Sequence, residues 1–300
     1  MNTELIEAVK ADDINKVSYL LDKGADVNYD YSIALKIASR DASLEMVKFL
    51  IENGSKISDQ CIGWAAYGGH LDIIKYLVEE KGINVDSEGR TALIHASEHG
   101  NLKIVKYLVY NGVSVRENSL ALQSASCAGH YDVVEFLIEN GADIHANEER
   151  ALVWASGSGN MELAELYVRH NADVNAQNGA AICSACAKGH LNMVEFLISK
   201  GADVNIDNDR PVRTASSCGN LKIVKFLVEN GAYIHANYED ALFLASKHNH
   251  FKIVKFLVER NADINVKNNY IIHDAIERKH VKIAKYLVKH GWKYRRFSHL

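Results

Sequence analysis

The chain has 300 residues, 48% hydrophobic and 24% charged, which is a globular balance with apolar material for a large core. Its net charge of −4 is unevenly spread: residues 207–300 hold 17 Lys and Arg against 9 Asp and Glu, and residues 1–206 hold 17 against 29. No window approaches 18 uninterrupted apolar residues, so no membrane-spanning helix is expected, and five irregularly spaced cysteines argue against a disulfide framework and for a reducing compartment.

Met1–Lys10 carries Glu4 and Glu7 and no apolar stretch, so no secretory signal is expected. From there on the chain falls onto itself when slid by about 30 residues. A turn residue recurs at Gly24, Gly54, Gly82, Gly112, Gly141, Asn171, Gly201, Gly231, Asn261 and Gly291, at spacings of 28 to 30. The ten repeats are 1–28, 29–58, 59–85, 86–118, 119–146, 147–176, 177–206, 207–236, 237–266 and 267–300.

Each repeat has the same internal logic. A first segment such as "ALVWASGSGN" (Ala151–Asn160) holds small and apolar residues and is long enough for two helical turns. A second, such as "LKIVKYLVYNG" (Leu102–Gly112), places Leu102, Ile104, Val105, Leu108 and Val109 over more than one helical stripe, so it must be buried on several sides. It stops at Gly, or at Asn171 and Asn261, residues suited to the left-handed position that ends a helix. One such helix pair cannot bury its own apolar surface, whereas stacked neighbours can, so the period predicts a solenoid. One all-α domain without a linker is expected over 1–300.

These residues resemble the ankyrin repeat, whose pattern runs D-x-x-G-x-T-P-L-H-L-A-A-x-x-G-H, then an amphipathic helix, then G-A-D-V-N-A. "GADVN" stands unaltered at Gly24–Asn28 and Gly201–Asn205. The Leu of "TPL" corresponds to Leu5, Leu35, Ile62, Leu93, Leu122, Leu152, Ile182, Val212, Leu242 and Ile272. The first Ala of "AA" corresponds to Ala8, Ala38, Ala65, Ala96, Ala125, Ala155, Ala185, Ala215, Ala245 and Ala275. The family's repeat has 33 residues and most here have 30. The missing residues come from the hairpin before the first helix, so short turns with little β-structure are expected. Only "DSEGRTAL" (Asp86–Leu93) keeps the hairpin's pattern. Short repeats rich in Asn, Ile, Lys and Tyr are similar to the ankyrin families of giant amoebal viruses such as mimivirus.

"CSACAKGH" (Cys183–His190) has the spacing of a zinc motif, C-x2-C-x3-H. Each residue is also explained by its slot. Cys186 stands where Ser39, Ala66, Ser97, Ser126, Ser156, Ser216 and Ser246 stand, a place for a small side chain. His190 shares its turn with His70 and His130. With no fourth ligand, no metal or other cofactor is expected. Asn101, Asn160 and Asn220 sit where the second helix starts and are suited to capping it. Asp and Asn of "ADVN" are turn formers. The resemblance also makes that Asn an oxygenase target, for which Leu197–Asn205 has a suitable shape. No Ser-His-Asp set and no phosphate loop stands outside the repeat slots, so no enzyme is expected.

In the family, partners bind the concave face, made by the hairpin tips and the exposed stripe of the first helix. Carried onto this chain, the stripe includes Trp64, Tyr67, His95, His99, Trp154, Ser158, Ser184 and Lys188. Exposed Trp and Tyr are typical interface anchors; the alternative is that both Trp fold down as core filler. The expectation is a protein-binding scaffold, monomeric, cytoplasmic and not secreted, whose partner is a host protein if the chain is viral. The rival is anion or nucleic-acid binding through the basic C-terminal third, where Lys222, Lys225, Lys252, Lys255, Lys282 and Lys285 line the second helices. Glu135, Glu162, Glu165 and Glu195 hold that face in repeats five to seven. The basic, aromatic tail Trp292–Leu300 is read as a cap on the end of the stack.

Overall fold

The computed structural model describes residues 1–291; the proposed capping tail lies outside the described residues. The described residues form twenty α-helices and one π-turn, with no strand among them. They group into two compact units, Met1–Ile144 and the residues from His145 onward.

The first unit holds α1 (Asn2–Lys10), α2 (Ile14–Asp22), α3 (Tyr29–Asp41), α4 (Leu44–Glu52), α5 (Gln60–Gly68), α6 (Leu71–Lys75), α7 (Val85–Glu98), α8 (Leu102–Tyr110), α9 (Ser119–Ala128) and α10 (Tyr131–Glu139). The second holds α11 (Ala146–Ser158), α12 (Met161–Arg169), α13 (Ala176–Lys188), α14 (Leu191–Ser199), α15 (Ile206–Cys218), α16 (Leu221–Glu229), α17 (Ala236–Lys247), α18 (Phe251–Glu259), α19 (Val266–Glu277) and α20 (Val281–Lys289). Within each unit every odd helix packs on the next odd helix and on its own even partner. The reason is local. The repeated Ala of the odd helices is buried in all ten repeats, and its neighbour is Ser, Ala or Cys in most, so backbones approach closely. The even helices fill the space behind them with Met46, Val47 and Leu50, or Ile223, Val224 and Leu227, all essentially inaccessible. In α12, Ala164 takes the usual Val place and a wholly buried Tyr167 takes the Leu place, so volume is exchanged along one helix face.

Gly24, Gly54, Gly112, Gly141, Gly201 and Gly231 all have φ between 87° and 99° at the end of the even helix, and Asn171 and Asn261 hold φ 65° and 68° in the same slot. The third repeat departs from the pattern. It has one residue more between Leu71 and Gly82 than its neighbours have, and the π-turn Tyr76–Glu80 absorbs it, with Lys81 N–H donating to Tyr76 O at 3.2 Å.

In place of a β-hairpin, several repeats enter the odd helix through one left-handed turn. Asp30, Tyr31 and Ser32 have φ 48°, 55° and 59°, and Gln177–Gly179, Asp207–Asp209 and Asn237–Glu239 repeat this. These positions are mostly Asn, Asp or Gly, the residues that visit that region most readily. The expected short turns are therefore present, but "DSEGRTAL" is not a hairpin: it lies inside α7. Gly89 serves packing there, since a Cβ on it would come within 2.5 Å of a Val113 methyl.

Neighbouring repeats are tied by polar side chains at fixed places. His70 Nε2 meets Arg40 O at 2.9 Å, His130 Nε2 meets Glu98 O at 3.0 Å, and His250 Nε2 meets Ser217 O at 2.9 Å. Gly68 permits the first of these, because a Cβ on it would overlap the Arg40 carbonyl. Asn220 joins this set instead of capping α16: its Nδ2 donates to Cys186 O at 2.7 Å. Asn101 likewise makes no cap bond. Of the three expected caps, Asn160 is the one that forms, accepting from Leu163 N–H at 3.1 Å.

Candidate functional site

In the first unit, α5 buries Cys61, Ile62, Ala65 and Ala66 against the repeats on either side. Trp64 and Tyr67, three residues apart, therefore share the opposite face. Trp64 is half-buried and Tyr67 is 44% exposed. The Tyr67 ring meets His95 edge-on at 5.5 Å and His99 at 4.5 Å, both from α7. From α3, the Arg40 guanidinium lies 5.2 Å from the Trp64 ring centre. Arg40 also donates through Nε to Asp41 Oδ1 at 2.7 Å and through Nη2 to Oδ2 at 2.5 Å. That bond holds the Asp41 carboxyl below its ordinary range and pushes the guanidinium up.

Arg40, Trp64, Tyr67 and His95 border a cavity of about 500 Å³ whose other walls are Gln60, Gly63, Glu88 and Thr91. The cavity exists because Gly63 has no side chain where neighbouring repeats place Lys36, Ile94 and Gln123. His95 Nδ1 is buried without a hydrogen-bond partner, 3.8 Å from Glu98 Oε2. Four residues of the expected stripe, Trp64, Tyr67, His95 and His99, are thus brought together. Gln60, Glu88 and Thr91 were not anticipated; the one sequence signal for them was Gly63 in a slot that is otherwise filled.

In the second unit Trp154 is 43% exposed, not core filler. The Arg150 guanidinium stands 5.8 Å from its ring centre. Beside it, Gly157 lets α13 come close, since a Cβ there would lie 2.5 Å from Ser184 Oγ. Ser158 is exposed and donates to Ala155 O at 3.1 Å; Ser184 is half-buried and Lys188 exposed. These four belong to the second unit and the Trp64 group to the first.

Cys183 and Cys186 are buried. Burial pushes the Cys183 thiol up to about 11 and the Cys186 thiol well above its ordinary value, which disfavours thiolate at either. His190 turns Nε2 to Gly157 O at 3.1 Å, and among the described residues no three His, Cys, Asp or Glu side chains converge on one point. The Asn of "ADVN" is likewise engaged between repeats. Asn175 Nδ2 donates to Gly201 O at 3.0 Å while its Oδ1 accepts from Asp203 N–H at 2.8 Å, and Asn205 Oδ1 accepts from Tyr233 N–H at 3.0 Å.

Lys222, Lys225, Lys252, Lys255, Lys282 and Lys285 of α16, α18 and α20 are all exposed. Two of the aromatic rings between them offer little area for base stacking, Phe256 being buried and Phe251 half-buried. Lys225 and Arg260 cover Phe256 at 5.8 and 4.9 Å, and Lys282 covers Phe251 at 4.4 Å.

No helix among the described residues is long and apolar enough to cross a membrane. Family models of ankyrin repeats match residues 62–148, 122–208, 152–238 and 212–297 (three copies) and residues 34–78 (many copies). The chain is 46% identical over 77 residues to alpha-latrotoxin of Latrodectus hasselti, covering 25% of this chain and 6% of the toxin. It is 39% identical over 80 residues to an ankyrin repeat protein of Acanthamoeba polyphaga mimivirus, 26% of this chain and 13% of that protein. It is 29% identical over 117 residues to an ankyrin repeat protein of Rickettsia bellii, 37% of this chain and 31% of that protein. The chain thus spans less than a third of the length of each of these relatives. With its register of buried alanines, its glycine-ended helices and family matches over most of its length, the chain belongs to the ankyrin repeat family.

Proposed function

We propose that the chain is a non-enzymatic scaffold, without a cofactor, that docks a partner protein on the exposed stripe of its odd helices, the concave face of the family. The observation that carries this is the outward placement of Trp154 and of Trp64 and Tyr67, the latter two beside a cavity. Large aromatic residues left half-exposed next to a cavity are the usual composition of a binding anchor. The family match supports a protein partner, since ankyrin repeats are interaction modules. One family match, residues 122–208, runs across both compact units, which supports reading 1–300 as one repeat domain. Cys127 and Cys218 are exposed free thiols, which favours a reducing, cytoplasmic setting, and the mimivirus similarity makes a host protein the first partner to seek.

The experiment is affinity capture from amoebal lysate with the wild-type chain, Trp64→Ala and Trp154→Ala. Truncating an anchor costs about 2 kcal/mol or more, some thirtyfold in affinity. At least one variant should lose the captured partner while its melting temperature stays within a few degrees. Capture that persists in both folded variants would move the site to the turns or the even helices.

A further inference from the structure

We propose that the cavity beside Trp64 receives a lysine or arginine side chain of the partner. This deepens the docking reading above and rests on it. The cavity joins two aromatic rings to the Glu88 carboxylate. Trp64 and Tyr67 form one side, and the π-face of each attracts a cation. The contact of the Arg40 guanidinium with the Trp64 ring at 5.2 Å is an intramolecular instance of that attraction.

The charges decide the sign of the guest. Arg40 brings a positive charge to the wall, but two of its nitrogens already donate to both oxygens of Asp41, so the pair is neutral as a whole. Glu88 faces the same cavity and makes no ion pair among the described residues. Outside the lining, Glu98 Oε2 stands 3.8 Å from Nδ1 of His95. An acidic side chain would meet the Glu88 carboxylate and find Arg40 already engaged. An apolar one would cover Glu88, Gln60 and Thr91 without satisfying them, and a buried unpaired carboxylate is costly. A cationic side chain satisfies each requirement: its methylene stem lies over the floor opened by Gly63 and along Trp64, and its N–H groups reach the Glu88 carboxylate.

The test uses the full chain and Nα-acetyl amides of arginine, lysine, leucine and glutamate as probes. The indole N–H resonance of Trp64, assigned by its loss in Trp64→Phe, is followed by NMR. Arginine and lysine amides should shift it saturably, with dissociation constants on the order of 1–10 mM. Glu88→Gln should weaken both about threefold or more at an unchanged melting temperature. Three results would overturn the proposal: glutamate amide binding as tightly as the cations, leucine amide matching them, or no shift up to about 100 mM with any probe. If the cations fail but Trp64→Ala still releases a captured partner, the docking reading survives and the cationic guest does not.

Discussion

Asp209 shows how one side chain can strain a repeat while binding it to the next. It stands at the third position of a left-handed turn, is buried, and accepts from Tyr233 N–H of the following repeat at 2.7 Å. Burial raises its carboxyl above the ordinary 3.8, against the lowering effect of the Tyr233 bond. The folded chain therefore holds this proton over a window in which the unfolded chain has lost it. In that window stability falls as pH rises, and the deficit persists at neutral pH. Asp209→Asn keeps the accepting oxygen and removes the charge. It should raise the melting temperature at pH 7, with the gain shrinking as pH falls through the window and vanishing below about pH 3. Thermal melts of both proteins across pH 3–7 check this; a gain that grew toward acid would contradict it.

Among the elements, the left-handed turns and the π-turn carry separable predictions. Asn208 holds φ 54° in the middle of its turn. A left-handed residue with a Cβ costs about 1–2 kcal/mol, partly offset in Asn by its short polar side chain. Asn208→Gly should therefore change stability by less than about 1 kcal/mol, whereas Asn208→Val should lower it by about 1–2 kcal/mol. Equal melting curves for Val and Gly would show that the turn is not left-handed in solution. The π-turn is attributed to a single extra residue. Deleting Lys81 gives "YLVEEGINV", which matches the length of "FLVENGAYI" at Phe226–Ile234. That deletion should be tolerated, with a melting temperature within about 5 °C, because it restores the i→i−4 ladder without moving Leu77. Deleting Lys106 from the regular helix α8 should unfold its repeat, since it turns Leu108 away from the core.

For the molecule as a whole, the uneven charge is the property most open to misreading. The net positive residues 207–300 present seven lysines on the even helices, and such a surface binds polyanions through counterion release. With Phe256 buried and Phe251 half-buried, stacking has little to add. Binding to single-stranded nucleic acid should be weak, with dissociation constants of about 10⁻⁴ to 10⁻⁶ M, and should fall steeply with salt. Fluorescence anisotropy at two salt concentrations measures both. Sub-micromolar affinity at physiological salt, abolished by reversing Lys222, Lys225, Lys252 and Lys255, would place nucleic-acid binding above the protein scaffold.

The repeat count, the helix pairs and the glycine stops were legible in the sequence because each recurs at a fixed period and answers a local demand. Ala215 must be small wherever helices touch, and Gly231 must be left-handed wherever the chain leaves a helix. The outward stripe was legible for the same reason: Trp64 and Tyr67 follow from helical spacing once the buried positions are known. What depends on residues some 30 positions away was not. His70 and Asn220 look like cap residues in their own repeat, and only the neighbouring carbonyls Arg40 O and Cys186 O show that they bridge. "DSEGRTAL" carries the family's hairpin letters yet is helical, and its Gly89 packs against Val113 in the turn that follows α8. The cavity is tertiary in the same sense. An absent side chain at Gly63 is conspicuous in sequence, but the space becomes a site only when Arg40, Trp64 and Glu88, from three different helices, close around it.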